Sequence, residues 1–349
     1  MQNKKITVGI TQGDSNGIGY EVIIKALADP RILEQFTPVI YGSRKLFGFY
    51  LKTIPEVEKL DVKIIDCLDE RTFAEPGEAT AESAKSAIAA LDTAVKDLKS
   101  GKIDVLVTGP INKKAMCSEG FGFPGHTEYI QNFFGVKDVA MLMVSSRLKL
   151  GVVTGHIPLK DVCGQISEEK ILSKLRLMTR SLKEDFGVDM PRIGVLSLNP
   201  HSGDGGLLGT EEQEIIIPAI RKATEEGILA YGPFSPDGYF GLGNYENFDA
   251  TLAMYHDQGL APFKALSFED GVNYTAGLPV VRTSPDHGTA FEMAGRDMAD
   301  PRSMRAAIFC AIDIYRSRQA WKELQENKME IRRPEWSEKR ERPGKPQIA

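Results

Sequence analysis

Short apolar runs rich in β-branched residues alternate along this chain with longer stretches whose apolar residues recur at helical spacing. The strand-like runs are "ITVGI", "TPVIYG", "KIIDCL", "DVLVTGP", "VAMLMVS", "LKLGVVT", "IGVLSL", "ATLAMYH" and "LPVVRTS". Helix-like segments lie between them, among them Ala79 to Lys99, with Ala, Leu and Val at helical spacing, and Glu168 to Phe186. This order predicts an α/β architecture built largely on parallel sheet. No internal repeat or low-complexity linker interrupts it. The tail from Arg332 to Ala349, with three prolines and the alternating charges of "SEKRERPGK", reads as a surface extension or frayed end.

With 349 residues, 42% hydrophobic and 26% charged, the chain is long enough for two domains with real cores. A formal net charge of -5, with no lysine and arginine stripe outside the last twenty residues, argues against a nucleic-acid partner and for small-molecule ligands. Cys67, Cys117, Cys163 and Cys310 form no C-x-x-C pair in a chain too large to need staples, which fits reduced thiols in a cytoplasmic protein. The apolar run of "MQNKKITVGI" is too short for a signal-peptide core, and nowhere do about eighteen apolar residues run together. The expectation is a chain that is neither exported nor membrane-spanning.

The stretch "GITQGDSNGIGYEV" places Gly13, Gly17 and Gly19 in a G-x-x-x-G-x-G spacing. That is neither the dinucleotide fingerprint nor the phosphate loop, whose lysine is missing. It reads instead as a first strand, Ile6 to Ile10, turning closely into a helix that begins near Tyr20, and as a candidate cleft wall.

Three of the five histidines share one grammar, an apolar run, then His, then a Gly- or Pro-bearing loop: His156 in "LGVVTGHIP", His201 in "IGVLSLNPHSGDGG" and His256 in "LAMYHDQGLAP". In open α/β sheets, ligands bind beyond the carboxyl ends of strands, where these side chains would fall. They are too far apart in sequence for a local zinc-finger motif, and three histidines from separate strand ends suit a divalent metal with an open coordination position. Anion recognition is offered by Lys264 in "MYHDQGLAPFK", by Asn273 and Arg282 in "DGVNYTAGLPVVRTS", and by His126 and Thr127 in "GFPGHTEY". Asp14, Asp204, Asp237 and Asp257 stand in loops as ligands, bases or turn formers.

Together "GDSNGIGYE", "VTGPINK", "FPGHTEY", "LNPHSGDGGLLGTEE", "MYHDQGLAPFK" and "VNYTAGLPVVRTSPDHGTAFEMAG" resemble the 4-hydroxythreonine-4-phosphate dehydrogenase family of pyridoxal-phosphate biosynthesis, in family order from the first strand to about Gly295. The resemblance implies a fold of the isocitrate and isopropylmalate dehydrogenase type, with two α/β/α domains and an interdomain cleft. The first domain would comprise residues 1–128 and 268–349, with the cofactor loop, and the second residues 129–267, with the metal site and dimer contacts. It implies a homodimer whose sites draw on both subunits. His156, His201 and His256 then correspond to metal ligands, the last reaching over from the partner subunit. His126, Thr127, Lys264, Asn273 and Arg282 correspond to substrate contacts, and Asp237 to an acidic residue near the metal. Lys264 and Asp237 are the candidates for moving the hydroxyl proton. "DHGTAFEMAG" resembles the superfamily loop that holds the adenosine of the cofactor, which implies NAD or NADP at His287, Gly288 and Thr289.

The implied reaction is NAD(P)-dependent oxidation of 4-phosphooxy-L-threonine to 2-amino-3-oxo-4-phosphooxybutanoate, which decarboxylates to 3-amino-2-oxopropyl phosphate. It depends on a divalent metal, and histidine ligation favours zinc, cobalt or nickel over magnesium. A paralogue acting on erythronate or threonate 4-phosphate is the alternative within the class; a metal-dependent phosphotransferase or hydrolase and a non-catalytic sensor are rivals outside it. The chain departs from the family pattern at Ser15 and Asn16, where Pro-Ala is expected, at Tyr20, where Pro is expected, and at Ala261, Pro262 and Phe263.

Overall fold

The computed structural model describes residues 5–68 and 72–329, so the C-terminal tail read above as an extension lies outside the described residues. The strand-like runs form β1 (Ile6–Thr11), β2 (Phe36–Gly42), β3 (Lys63–Asp66), β4 (Val105–Thr108), β5 (Ala140–Val144), β6 (Lys149–Thr154), β7 (Arg192–Leu196), β9 (Ala250–Tyr255) and β11 (Val281–Pro285). Two further strands, β8 (Leu229–Phe234) and β10 (Val272–Ala276), complete one sheet of order β3-β2-β1-β4-β11-β10-β5-β6-β9-β7-β8. Pairing is parallel except where β10 meets β11 and β5 and where β5 meets β6.

Alternation along the strands sends side chains to both faces. Val105 and Val107 join a core continuous along one face, where the helix Arg302–Glu326 buries Met304, Ala307, Ile308 and Ala311. Leu106 points the other way, into a cluster under the helices Ala81–Lys99 and His126–Phe134. On that second face the apolar side chains form two separate clusters, the other gathering Met143, Leu150, Val152 and Phe263. Arg282, flanked by Val281 and Thr283 of the first face, is directed to the side where the core is interrupted.

The helix expected from Ala79 begins at Ala81, because the Thr80 side chain accepts from Ser83 N (3.1 Å) in a capping box. The helix expected over Glu168 to Phe186 spans Glu168–Glu184 behind its Ser167 cap. The opening turn works as its glycines require. Gly13 has φ +72 and abuts the Pro110 carbonyl, and a Cβ on Gly17 would meet the Thr289 carbonyl at 2.8 Å. Among the described residues no helix is long and apolar enough to cross a membrane.

Candidate active site

Arg282 of β11 is 4% exposed, yet it makes no ion pair among the described residues. Its Nε and Nη2 donate to Thr108 Oγ1 (3.1 and 2.6 Å), and Nη1 donates to Thr275 Oγ1 (3.2 Å) and Thr127 Oγ1 (3.5 Å). Nη2 also lies 3.2 Å from His126 Nδ1, and because a guanidinium only donates, His126 accepts there and carries its proton on Nε2. Burial draws the guanidinium down to about 10, with Glu128 opposing. Burial, then Arg282 and Lys113, hold His126 well below the usual histidine range. The corner is therefore cationic, dry and geometrically satisfied, but short of a negative charge.

Beyond it, β6 and β9 run parallel with Thr154 opposite Tyr255, so His156 and His256 leave the same sheet edge side by side. Their ring centroids are 5.2 Å apart at 46°. Burial, then Lys113 and His256, lower the His156 pKa, while His256 Nδ1 is tied to Asp257 Oδ1 at 2.6 Å. Lys264 Nζ stands 3.4 Å from Asp286 Oδ1 and donates to the Asp286 carbonyl (3.3 Å). Burial raises the Asp286 carboxyl against the opposing effects of Lys264, His287 and His256. Asn273 Oδ1 and His287 Nε2 are buried polar atoms with no hydrogen-bond partner among the described residues. Asn273 and Thr275 alternate with the core residue Tyr274, which turns both toward the Arg282 side. Next to His287, Thr289 accepts at its carbonyl from Ile18 N (3.0 Å), and further along the buried Glu21 accepts from Ala299 N (2.7 Å) and Lys25 Nζ (2.9 Å). The segment from His287 to Ala299 is thus braced by the opening turn and its helix.

His201 and Asp237 follow β7 and β8 at the same sheet edge that His156 and His256 leave. His201 adds to the effects that lower the Asp237 carboxyl, and the His156 and His256 rings are in contact. His201, Ser202 and Asp204 all have positive φ (51, 52 and 43°), a conformation that costs energy for non-glycine residues. Glu212, 1% exposed, holds the loop by accepting from Leu198 N and Asn199 N, both 2.8 Å. Asp237 is exposed, and the Ser235 hydroxyl (2.8 Å) and the Gly238 N–H keep its carboxyl below the usual range. Among the described residues no three His, Cys, Asp or Glu side chains of the chain converge as a metal-holding group.

The family model for the pyridoxal phosphate biosynthetic protein PdxA matches residues 26–311. This chain belongs to the PdxA family. A 4-hydroxythreonine-4-phosphate dehydrogenase of Bacteroides thetaiotaomicron is 49% identical to it over 98% of this chain and 96% of its own length. A protein of Oceanobacillus iheyensis, provisionally named D-threonate 4-phosphate dehydrogenase, is 39% identical over 89% of this chain and 98% of its own length. The crystal structure of 4-hydroxythreonine-4-phosphate dehydrogenase from Klebsiella pneumoniae aligns with a TM-score of 0.78 at 33% identity, covering 90% of this chain and 99% of that one. The protein is thus an enzyme of the PdxA family with its mixed α/β fold.

For a PdxA-family chain the donor chemistry fits a divalent metal. Two imidazoles lie side by side, His156 is biased to its neutral form, and the Asp257 carboxylate on His256 Nδ1 leaves Nε2 as the donor. The orphaned His287 Nε2 and Asn273 Oδ1 fit a polar ligand in the same cleft. Sequence reasoning missed Thr108, Lys113 and Asp286 as site residues. Thr108 and Lys113 stand in "VTGPINK" and Asp286 in "RTSPDHGTA", motifs whose less conspicuous members gave the only signal.

Proposed function

We propose that this enzyme oxidises the secondary alcohol of 4-phosphooxy-L-threonine with NAD or NADP and a divalent metal, for pyridoxal 5'-phosphate synthesis. The product, 2-amino-3-oxo-4-phosphooxybutanoate, then loses carbon dioxide to give 3-amino-2-oxopropyl phosphate. The observation that carries the reading is the buried guanidinium of Arg282, which has no ion-pair partner among the described residues and whose charge a phosphate would offset. Thr127 and the Nε2–H of neutral His126 add donors to the same anion, and Lys264 and Asn273 hold the remainder of the substrate.

When bound, a divalent ion lowers the pKa of a hydroxyl and a nicotinamide ring accepts hydride. His156, His201 and His256 would hold the ion. We assign the His256 of each site to the partner chain, as the family resemblance implies; among the described residues of one chain no three His, Cys, Asp or Glu side chains converge as a metal-holding group, which supports a shared site. Lys264 Nζ, oriented by Asp286, holds and moves the hydroxyl proton, with Asp237 entering beside His201 as the second candidate. His287, Gly288 and Thr289 receive the dinucleotide. The two-domain division, 1–128 with 268–349 against 129–267, is part of this reading.

Absorbance of reduced nicotinamide, with purified protein, zinc and each phosphorylated acid in turn, tests the reading. Signal is expected with 4-phosphooxy-L-threonine. The Oceanobacillus iheyensis relative supports a second reading, in which the substrate is threonate or erythronate 4-phosphate. Signal with those acids alone selects it, and no signal with any acid ends the dehydrogenase reading.

A further inference from the structure

Asn16, at a position where the family resemblance leads to alanine, is 1% exposed and its side-chain amide is fully engaged. Nδ2 donates to the Glu78 carbonyl (2.9 Å) and to Thr80 Oγ1 (3.1 Å), and Oδ1 accepts from Glu75 N (2.9 Å). The backbone joins in, with Gly77 N donating to the Asn16 carbonyl (2.9 Å) and Asn16 N donating to Asp14 Oδ1 (3.0 Å). Thr80 is also the cap of the helix Ala81–Lys99, so the segment is fastened to a rigid element.

The other side of segment 75–80 touches the chain that follows His287, Gly288 and Thr289. A Cβ on Gly77 (φ +92) would lie 3.2 Å from the Phe291 carbonyl, and a Cβ on Gly295 would lie 3.1 Å from Pro76. The next residues of the opening turn reach the same loop directly, through Ile18 N to the Thr289 carbonyl (3.0 Å) and the close approach of Gly17 to Thr289. Segment 75–80 is therefore clamped between Asn16 and residues 291–295. An alanine at position 16 keeps the two backbone hydrogen bonds and loses all three side-chain ones.

We propose that Asn16 is a positioning residue that clasps segment 75–80 against the 287–295 loop and thereby sets the affinity for the nicotinamide dinucleotide. The inference rests on the reading of that loop as the cofactor site. Its test uses the full-length chain as wild type, Asn16→Ala and Asn16→Asp, the last keeping the acceptor for Glu75 N while losing both donations. In the ligand-free protein, amide exchange at Glu75 is expected to rise about tenfold in Asn16→Ala, the size of losing one ordinary hydrogen bond. Calorimetric titration with NAD and NADP is expected to show about a tenfold weaker Kd in both variants. The KM for the phosphorylated substrate stays within about twofold, since no substrate contact is touched. Unchanged exchange at Leu106 in β4 shows that the fold is intact; if Asn16→Ala does not fold, the Kd of Asn16→Asp decides. Unchanged dinucleotide affinity in folded variants overturns the proposal, as does equal weakening toward dinucleotide and substrate, the mark of a merely structural residue. Failure of the wild type itself to bind either dinucleotide overturns the cofactor reading, and this inference with it.

Discussion

The Arg282 corner and the His201 corner of this molecule are built on opposite principles. Arg282 is buried, and each of its donors finds a threonine hydroxyl or the His126 ring within the chain. Asp237 is exposed and leans on Ser235 of its own turn, beside a histidine loop whose residues occupy positive φ. The first corner is buried among strands β4, β10 and β11, and in the second Glu212 braces a strained loop. The first has no ion-pair partner among the described residues, a counter-charge that the proposed phosphorylated substrate would supply. The second combines a strained histidine loop with an exposed carboxylate, and it is there that the proposed shared site would be completed by another chain.

The largest expected effect breaks the first corner. Arg282→Lys replaces a fork with a point charge and loses charged hydrogen bonds worth about 1.5–3 kcal/mol each, so the KM for phosphorylated substrate should rise about 100-fold or more while that for the dinucleotide changes little. Equal rises in both constants would make Arg282 a structural residue and remove the contrast between the corners.

At the second corner, His201→Ala is expected to lower bound metal at least about tenfold, read by elemental analysis after equilibration with zinc, with the unfolding transition nearly unchanged. Removal of metal from the wild type by a chelator should abolish oxidation, and full activity in the metal-free protein would contradict the metal reading.

A smaller effect separates the corners by pH. His126 is held neutral in the folded chain, so as pH falls below its ordinary value of 6.5 the unfolded chain binds a proton that the folded chain refuses. Stability is therefore complete above that value and lost on acidification through it. In a series of Tm against pH, His126→Gln should flatten this slope, and His156 and His287, lowered in the same direction, should leave a residual one. An unaltered slope in His126→Gln would show that this corner is not the dry one. The smallest effect belongs to Ser235→Ala, which should raise the Asp237 carboxyl toward 3.8 in an NMR titration with stability unchanged, because the group is exposed.

Regular strands and the outline of the site were legible in the sequence, because each depends on local pattern. β8 was not, since Gly232 at φ +134 and Pro233 break the alternation of "LAYGPF". Nor was β10, whose "VNYTA" reads with the following turn and β11 as one recognition stretch. The histidines and Arg282 stood out as chemistry-bearing residues in loops and strand ends. Thr108 did not, because its role depends on β4 lying beside β11, a pairing that brings distant parts of the chain into register, Val107 opposite Thr283. The contact between His156 and His256 was hidden for the same reason: β9 lies beside β6 only in the folded sheet.

The central claim, that each site needs two chains, is tested most directly by mixing two inactive proteins. His201→Ala and His256→Ala chains are dissociated together and reassociated. In a mixed dimer one site collects both damaged residues, and the other collects an intact His201 from one chain and an intact His256 from its partner. Random pairing makes about half the dimers mixed, so about a quarter of wild-type activity per site should return. No recovery, with mixed dimers shown to form, would mean that both histidines of a site belong to one chain.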